Sequence, residues 1–537
     1  MAGHKGFRNL PKLERVKRGR PAPGPPPSPR GAGRQPRPRP AAGPRVLTLA
    51  DFPSAHQTVL ITLADLLRPS QEAFLVGGAV RDLLLSRQSV EDLDLAVPSG
   101  ALRLAQALAR RLGGTFVALD AERGSARVVV EAGEYQVDLT DFRAPTLEAD
   151  LRGRDFSVNA IAVPLVPLVR EGKAPLLDPV GGMRDLAGRR LHLSSPGAFD
   201  EDPVRAFRGV RLATELGFAL DSEAKRSAQR VAPRLPAMAP ERVREELARL
   251  LRLPRASRGL RELDRLGLLE AIVSEIGPMK STTQPKPHRF SVWEHSLRTV
   301  EAVDLLLLKL SSLSPYAEEL AAHMAEPLGD GLTRGAVLKL AGLLHDVAKP
   351  QTRGVIEGRV RFIGHDVEGA ATARAIGQRL RLSGRAVDVL ERLVRHHLRP
   401  MHLGQVAQIT RRARYRFFRD LGREARDLLL LTLADAAAVR GESPIGIWRG
   451  PGGRLVADLL RGWEEDRVQA AAPPFVRGED VMAACGLPPG PEVGRLLALA
   501  REAQDLGVVT TREEALAYLR RVRETPDRGL DTQRGPQ

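Results

Sequence analysis

A glycine pair followed closely by two carboxylates constrains this chain more than anything else in it. Gly77-Gly78-Ala79-Val80-Arg81-Asp82 reads as the opening of a helix, and Asp92-Leu93-Asp94 follows. A β-strand puts residues i and i+2 on one face, so the carboxylates of Asp92 and Asp94 stand together. Paired acidic oxygens suit hard divalent cations such as Mg²⁺. Two such ions clamp the attacking and leaving oxygens of a phosphoryl displacement. Gly77 and Gly78 leave backbone N–H groups uncovered at a helix start, a natural seat for phosphate. The two words therefore predict an α/β unit that handles a nucleotide. Taken alone, the acidic triplet also fits a solvated strand.

Length and composition bound the rest. With 537 residues the chain can form three or four domains. Cys485 is the only cysteine, which excludes an intrachain disulfide and a thiolate zinc site and fits a reducing cytosol. No apolar run reaches membrane-spanning length; the strongest, Leu428 to Val439, is interrupted by Asp435. The net charge of +17 is concentrated at the start, where residues 1–45 carry twelve Lys/Arg against one acid, Glu14. Eleven prolines crowd the same segment, so it is expected to be disordered. Such a tail either holds RNA electrostatically or simply solubilises the chain.

The pattern along the chain predicts an α/β head over residues 46–177 and then helical regions. Phe74 to Val76, Leu93 to Val97, Arg127 to Glu131 and Tyr135 to Leu139 read as strands, the last two turned at Ala132-Gly133-Glu134. Ala101 to Leu112 has helical periodicity. After Asp178 no further strand is expected. Residues 178–283 read as a helical neck, 284–445 as a helical region holding most of the histidines, and 455–523 as a short C-terminal helical unit. A Gly-Pro joint, Arg449 to Gly453, precedes that unit, and Thr511 with Glu514 forms a capping box for its last helix.

Three further words strengthen the nucleotide reading. In Arg152-Gly153-Arg154-Asp155-Phe156-Ser157-Val158-Asn159 the arginines can neutralise a triphosphate, and Asn159 offers donors to a sugar or base. A salt bridge from Arg154 to an acid is the plainer account. Asp200-Glu201-Asp202-Pro203-Val204-Arg205 opens a helix with Pro203 in its first turn. There Asp202 and Arg205 share a helical face and display acceptors beside donors, as a base edge does. Glu241 to Glu246 reads as helix scaffolding. In the histidine region, His295, His345-Asp346, His365-Asp366, His396-His397 and Asp435 place imidazoles and carboxylates in one bundle. That set suits Mn²⁺, Ni²⁺, Co²⁺ or iron and hydrolysis of a phosphoester.

The order GGAVRD, DLD, RGRDFSVNA, LDPVGGMRDLAGRRL, EDPVRAFRGVRLATELGF and PERVREEL resembles the class II tRNA nucleotidyltransferase and bacterial poly(A) polymerase family, over roughly residues 70 to 250. The resemblance implies that Asp92 and Asp94 bind catalytic Mg²⁺, with Asp138 a third carboxylate nearby. It places Gly77, Gly78, Arg81, Arg154, Asp155, Asn159, Asp202, Arg205 and Arg208 at the nucleotide. Asp202 and Arg205 would read the base of incoming CTP or ATP, and Arg205, Arg208 and Arg211 would face RNA phosphates. The implied reaction is template-independent addition of CMP or AMP to a tRNA 3′ end in the cytoplasm.

The histidine set resembles the HD phosphohydrolase domain that some such enzymes carry. By that match His295, His345, Asp346 and Asp435 would be primary ligands, with His365 and His396 supporting a second ion; His397 and His402 read as packing or surface residues. Two features bear on specificity. The segment Ala144 to Leu151 is shorter than the corresponding loop of CCA-adding members, which resembles CC-adding enzymes. Gly113-Gly114-Thr115-Phe116 stands where the poly(A) polymerase branch carries a basic word. The rival readings are an enzyme whose main work is the HD hydrolase, a poly(A) polymerase, and a non-catalytic RNA binder. The number of subunits is not legible in the sequence.

Overall fold

The computed structural model describes residues 46–87, 92–130, 135–405, 409–470 and 473–524. The basic tail over residues 1–45 and the turn at Ala132-Gly133-Glu134 lie outside them.

The head is built on a six-stranded mixed sheet. Its spatial order is Thr115–Asp120, Ser125–Val130, Tyr135–Asp141, Asp92–Val97, Phe74–Val76 and Val163–Pro164. All neighbours run antiparallel except Asp92–Val97 beside Tyr135–Asp141, which are parallel. The Ala101–Leu112 helix lies in the connection between those two strands and, with Ser54–Leu66, packs Leu60, Leu63, Leu104 and Leu108 into the core. The period of two then sorts the side chains. Leu93, Leu95, Val137 and Leu139 are buried on the helix side, so Asp92, Asp94, Gln136 and Asp138 emerge on the other.

Helices Val204–Leu216, Pro240–Arg252 and Ala256–Arg265 form the neck. Val292–Leu308, Arg334–Leu344, His365–Arg379, Gly384–His396 and Glu424–Arg440 form the histidine-bearing bundle. One hydrophobic cluster runs from Leu47 through the neck to Leu460, and a separate one gathers Val481, Leu496 and Leu519. A buried lysine joins bundle to neck: Lys339 Nζ donates to the Leu253 carbonyl at 2.7 Å and lies 2.9 Å from Asp304, which accepts from the Ser257 N–H. Among the described residues no helix is long and apolar enough to cross a membrane.

Two expectations need correction. Strands continue past Asp178: Arg190–Leu191 pairs with Ala219–Leu220, Pro327–Gly329 with Leu332–Thr333, and Arg353–Ile356 with Arg359–Phe362. The last is a hairpin turned by Glu357 and Gly358, both at positive φ, as a two-residue turn matched to strand twist requires. The Gly-Pro run at 449–453 is no extended joint. Pro451 begins the Pro451–Ala470 helix, and a side chain at Gly453 would collide with the Trp448 backbone.

Candidate active site

The polar face of the head sheet and the neck enclose a cleft of about 1090 Å³. Asp92, Asp94 and Asp138 line one wall; Arg205, Arg208, Arg249 and Arg252 come from the neck. Gly77 sits at φ +77°, a conformation that costs glycine little, and any Cβ there would strike the Asp94 carboxylate. That close approach brings the Gly78 N–H to 3.4 Å from Asp94 Oδ2. Burial, reinforced by Asp138, pushes the carboxyl of Asp92 above its ordinary range. Burial does the same to Asp94, with Arg154 opposing. Asp138 faces Asp94 in register, but its two oxygens accept from Arg127, each at 2.8 Å. The donor set at Asp92 and Asp94 is thus hard oxygen, anionic and short of cations, which fits divalent metal.

The remaining expected residues fall into two groups. Arg81 is buried; it donates to Asn159 Oδ1 at 2.7 Å and grips Asp82 with two bonds. Asn159 donates to Asp155 Oδ1, which also accepts from the Phe156 N–H, and Arg208 lies 3.4 Å from Asp155 Oδ2. Burial would raise the Asp155 carboxyl, but Arg208 and these donors hold it below its ordinary range. Arg81, Asn159, Asp155 and Arg208 therefore form a brace between the glycine helix, the RGRDF turn and the neck. Arg154 is less committed. It meets Asp150 at 3.5 Å, and its sealed Nε has no partner among the described residues.

Two neck expectations are corrected. Asp202 and Arg205 do not present a joint edge to the cleft. Asp202 accepts from Arg242 Nη2 at 2.5 Å and from the Val204 N–H at 3.2 Å, and only Arg205 lines the cavity. Arg211 is no grip for RNA phosphate. It is buried, with Nε on Glu246 at 2.7 Å and Nη1 on Glu215 at 2.6 Å. Glu246, read as scaffolding, also accepts from Arg208 Nε at 2.7 Å. Burial would raise its carboxyl, yet Arg211 and Arg208 hold it low.

Arg143 was missed. It lines the cleft, and among the described residues its guanidinium makes no ion pair within 4 Å. Burial and the nearby Arg154 lower its pKa. The segment after it is a capped helix, Leu147–Arg152. Asp150 ties that helix back to the Arg143 N–H at 2.9 Å.

The bundle gathers a second set of donors in two groups. His295 Nε2 lies 3.0 Å from Asp435 Oδ1 and 3.2 Å from His345 Nε2. Asp346 Oδ1 lies 3.5 Å from His365 Nε2 and 3.7 Å from His397 Nε2, with 3.3 Å between those two rings' Nε2 atoms. Within each group the donor atoms lie within 4.8 Å of one another. Asp346 Oδ2 is 3.3 Å from His345, so this carboxylate borders both groups. The Nδ1 atoms of His345, His365 and His397 face the carbonyls of Gly342, Phe362 and Val394 at 3.0, 2.6 and 2.6 Å. Carbonyls only accept, so these rings carry hydrogen on Nδ1 and leave Nε2 lone pairs for a cation. Burial lowers His397 to about 4 and keeps it neutral. Asp435 is pushed up by burial, but His295 overrides this and holds it well below the carboxylate range. Nitrogen and oxygen donors together fit a divalent metal.

The His396 expectation is corrected here. Adjacent residues of a helix point about 100° apart, and His397, not His396, turns into the second group. Lys349 was also missed; it donates to Asp346 Oδ2 at 2.6 Å. Its i+3 spacing from Asp346 was the available signal.

A head with a carboxylate pair in a cationic cleft, joined through a helical neck to a histidine–aspartate bundle, defines a metal-dependent nucleotidyltransferase carrying an HD domain. Comparison with known proteins agrees. Residues 73–192 match the Poly A polymerase head domain, 217–279 the "Probable RNA and SrmB- binding site of polymerase A", and 292–436 the HD domain. The A-adding tRNA nucleotidyltransferase of Deinococcus radiodurans is 40% identical over 462 residues, covering 84% of this chain and 96% of that protein. The CC-adding tRNA nucleotidyltransferase of Thermus thermophilus is 38% identical over 457 residues, covering 84% and 93%. Among solved structures, a CCA-adding enzyme in complex with ATP aligns with a TM-score of 0.61 at 17% identity, covering 90% of this chain and 99% of that one. The chain belongs to the tRNA nucleotidyltransferase and poly(A) polymerase family.

Proposed function

We propose that this protein adds CMP, AMP or both from CTP and ATP to the 3′ end of tRNA without a nucleic-acid template. The observation that carries the reading is the Asp92–Asp94 pair beside the Gly78 N–H, at the floor of a cleft ringed by arginines. The oxygen of the tRNA 3′-hydroxyl attacks the α-phosphorus of the nucleotide and loses its proton to solvent; that P–O bond forms as the bond to the bridging oxygen breaks, and pyrophosphate departs. Asp92 and Asp94 would hold Mg²⁺, which when bound neutralises charge on the transferring phosphoryl group. Gly77 and Gly78 offer backbone donors to phosphate oxygens, and Arg154 and Arg205 supply cationic donors along the cleft. The Arg81–Asn159–Asp155–Arg208 brace fixes the glycine turn against the neck, so the donors are positioned before substrate arrives.

The short Ala144–Leu151 segment supports addition of CC rather than complete CCA. The A-adding D. radiodurans relative makes addition of A the competing outcome. Purified protein with Mg²⁺, labelled CTP or ATP, and tRNAs lacking CCA, ending in CC or ending in CCA decides between them. Two Cs and a stop support the CC reading; A on the CC-ended tRNA alone marks an A-adding enzyme. No incorporation on any tRNA removes the transferase reading.

In the bundle, His295, His345, Asp435, Asp346, His365 and His397 would hold Mn²⁺, Ni²⁺ or Co²⁺, which when bound activates water for phosphoester hydrolysis. The carbonyl-fixed tautomers favour this second reading. The single, buried Cys485 fits work in a reducing compartment, the cytoplasm.

A further inference from the structure

The face of the head sheet that carries Asp92 and Asp94 continues outward past the carboxylates. Strand pairing sets Asp94, Asp138, Arg127 and Val117 in one row across four strands, and Asp92, Gln136, Val129 and Thr115 in the row beside it. Residues paired across neighbouring strands share a face, so Val117 and Val129 stand on the cleft side. Ser125 and Thr140 continue that side, and a β-bulge between Ala118 and Asp120 sets Leu119 beside Ser125. Val117 is 41% exposed and Leu119 49%. Amid them Arg127 is clamped: its Nε donates to Asp138 Oδ1 and its Nη2 to Oδ2, each at 2.8 Å, while the side chain stays 35% exposed. Two parallel bonds hold the guanidinium in the plane of the carboxylate.

A lone exposed valine needs no account, but apolar side chains flanking a clamped guanidinium on the cleft face do. A fixed, flat cation bordered by apolar groups complements a nucleobase, because bases of single-stranded RNA stack on arginine planes. The sheet order indicates which base. Phe74–Val76 and the glycine pair lie on one side of Asp92–Val97; Tyr135–Asp141 and then Arg127 lie on the other. With the phosphates of the nucleotide on the glycine side, pyrophosphate leaves toward that side. In-line displacement then brings the attacking oxygen from the opposite side, where Arg127 stands two strand spacings, about 10 Å, from Asp94.

We propose that Arg127, with Val117, Val129 and Leu119 around it, is a stacking platform for the 3′-terminal base of the tRNA, a positioning site that aims the 3′-hydroxyl at the Asp92–Asp94 pair. Asp138 acts through Arg127 by keeping the guanidinium flat. The platform holds whichever base ends the tRNA, because stacking uses a face that every base has. The proposal rests on the reading of the head as a tRNA nucleotidyltransferase.

The test is single-turnover addition by the full chain with Mg²⁺, varying tRNA at saturating nucleotide and then nucleotide at saturating tRNA. Arg127→Lys keeps a cation for Asp138 and loses the plane. It is expected to raise the half-saturating tRNA concentration about tenfold, with that for the nucleotide within about twofold of the parent. Val117→Ser, at an exposed edge position, is expected to raise the tRNA value about threefold. A tRNA whose 3′-terminal base is removed, leaving the ribose and its hydroxyl, tells stacking from a merely structural role. On it the parent should lose about tenfold in the same measurement, and Arg127→Lys should lose little more than it already has. Losses from the variant and the abasic tRNA that simply multiply overturn the platform, as does a change confined to the nucleotide. If the parent extends no tRNA, the transferase reading itself fails and the platform with it.

Discussion

Asp94 and Asp138 face each other in register across the one parallel strand pair of the head sheet, yet they are in different electrostatic states. Asp138 is neutralised by two bonds from Arg127, whereas among the described residues Asp94 receives only a long bond from the Gly78 N–H. The two carboxylates should therefore differ in function. Asp94→Asn is expected to lower nucleotide addition by about 10²-fold or more, the scale of removing a preorganised electrostatic group. Asp138→Asn should cost about tenfold or less, because its charge is already spent. Single-turnover incorporation of CMP or AMP into tRNA compares them, and equal losses would show that Asp138 shares the work of Asp94.

Glu246 links the neck helices by accepting from Arg208 and Arg211 at 2.7 Å each. Removing one partner of a buried ionic group leaves uncompensated charge, so Glu246→Ala should destabilise the fold by about 3–5 kcal/mol. The two arginines hold this carboxyl below its ordinary value of 4.5 despite its burial. A depressed folded-state pKa means the contribution is present above that ordinary value and is lost as pH falls through the folded one. Denaturant unfolding of the parent from pH 7 down to pH 3 should show this loss, and Glu246→Gln should flatten it.

The sequence carries those features whose causes are local. The period of two in Asp92-Leu93-Asp94 and the glycine pair before it both depend on neighbours only, and both emerge where expected. The fates of Asp202 and Arg211 depend on partners that arrive from far along the chain: Arg242, forty residues on, and Glu246, thirty-five on. Both partners lie on a helix whose charges read as scaffolding. The choice between His396 and His397 depends on helix phase against the other ligand-bearing helices, which composition does not reveal. Arg143 carried no local signal at all; its position follows from Asp150 fixing the next turn.

The helix phase at this histidine pair makes a prediction about metal. His397→Ala should reduce the divalent metal bound by the bundle, because its Nε2 belongs to the group with Asp346 and His365. His396→Ala should leave metal content within error of the parent, since its half-buried ring is outside both groups. Metal analysis of dialysed protein, with Asp92→Ala and Asp94→Ala in both backgrounds, reads the bundle alone. A loss in His396→Ala with none in His397→Ala would reverse the assignment.

Gly77 is the tightest point of the head site. Its φ of +77° strains any L side chain, and a Cβ would occupy the space of the Asp94 carboxylate. Gly77→Ala should therefore act twice: it adds backbone strain of about 1–2 kcal/mol, and it displaces Asp94 from its bond with the Gly78 N–H. A shift of an ångström in a reacting group costs on the order of 10²-fold in rate. Gly78→Ala is the control, because a Cβ there meets nothing nearer than Arg81 Nη2 at 3.5 Å. Incorporation assays with melting curves on both variants separate the effects. The expected result is a large loss of rate and a modest loss of stability for Gly77→Ala, with Gly78→Ala near the parent in both. Equal behaviour of the two would mean that the close approach of backbone to carboxylate does not set the geometry of transfer.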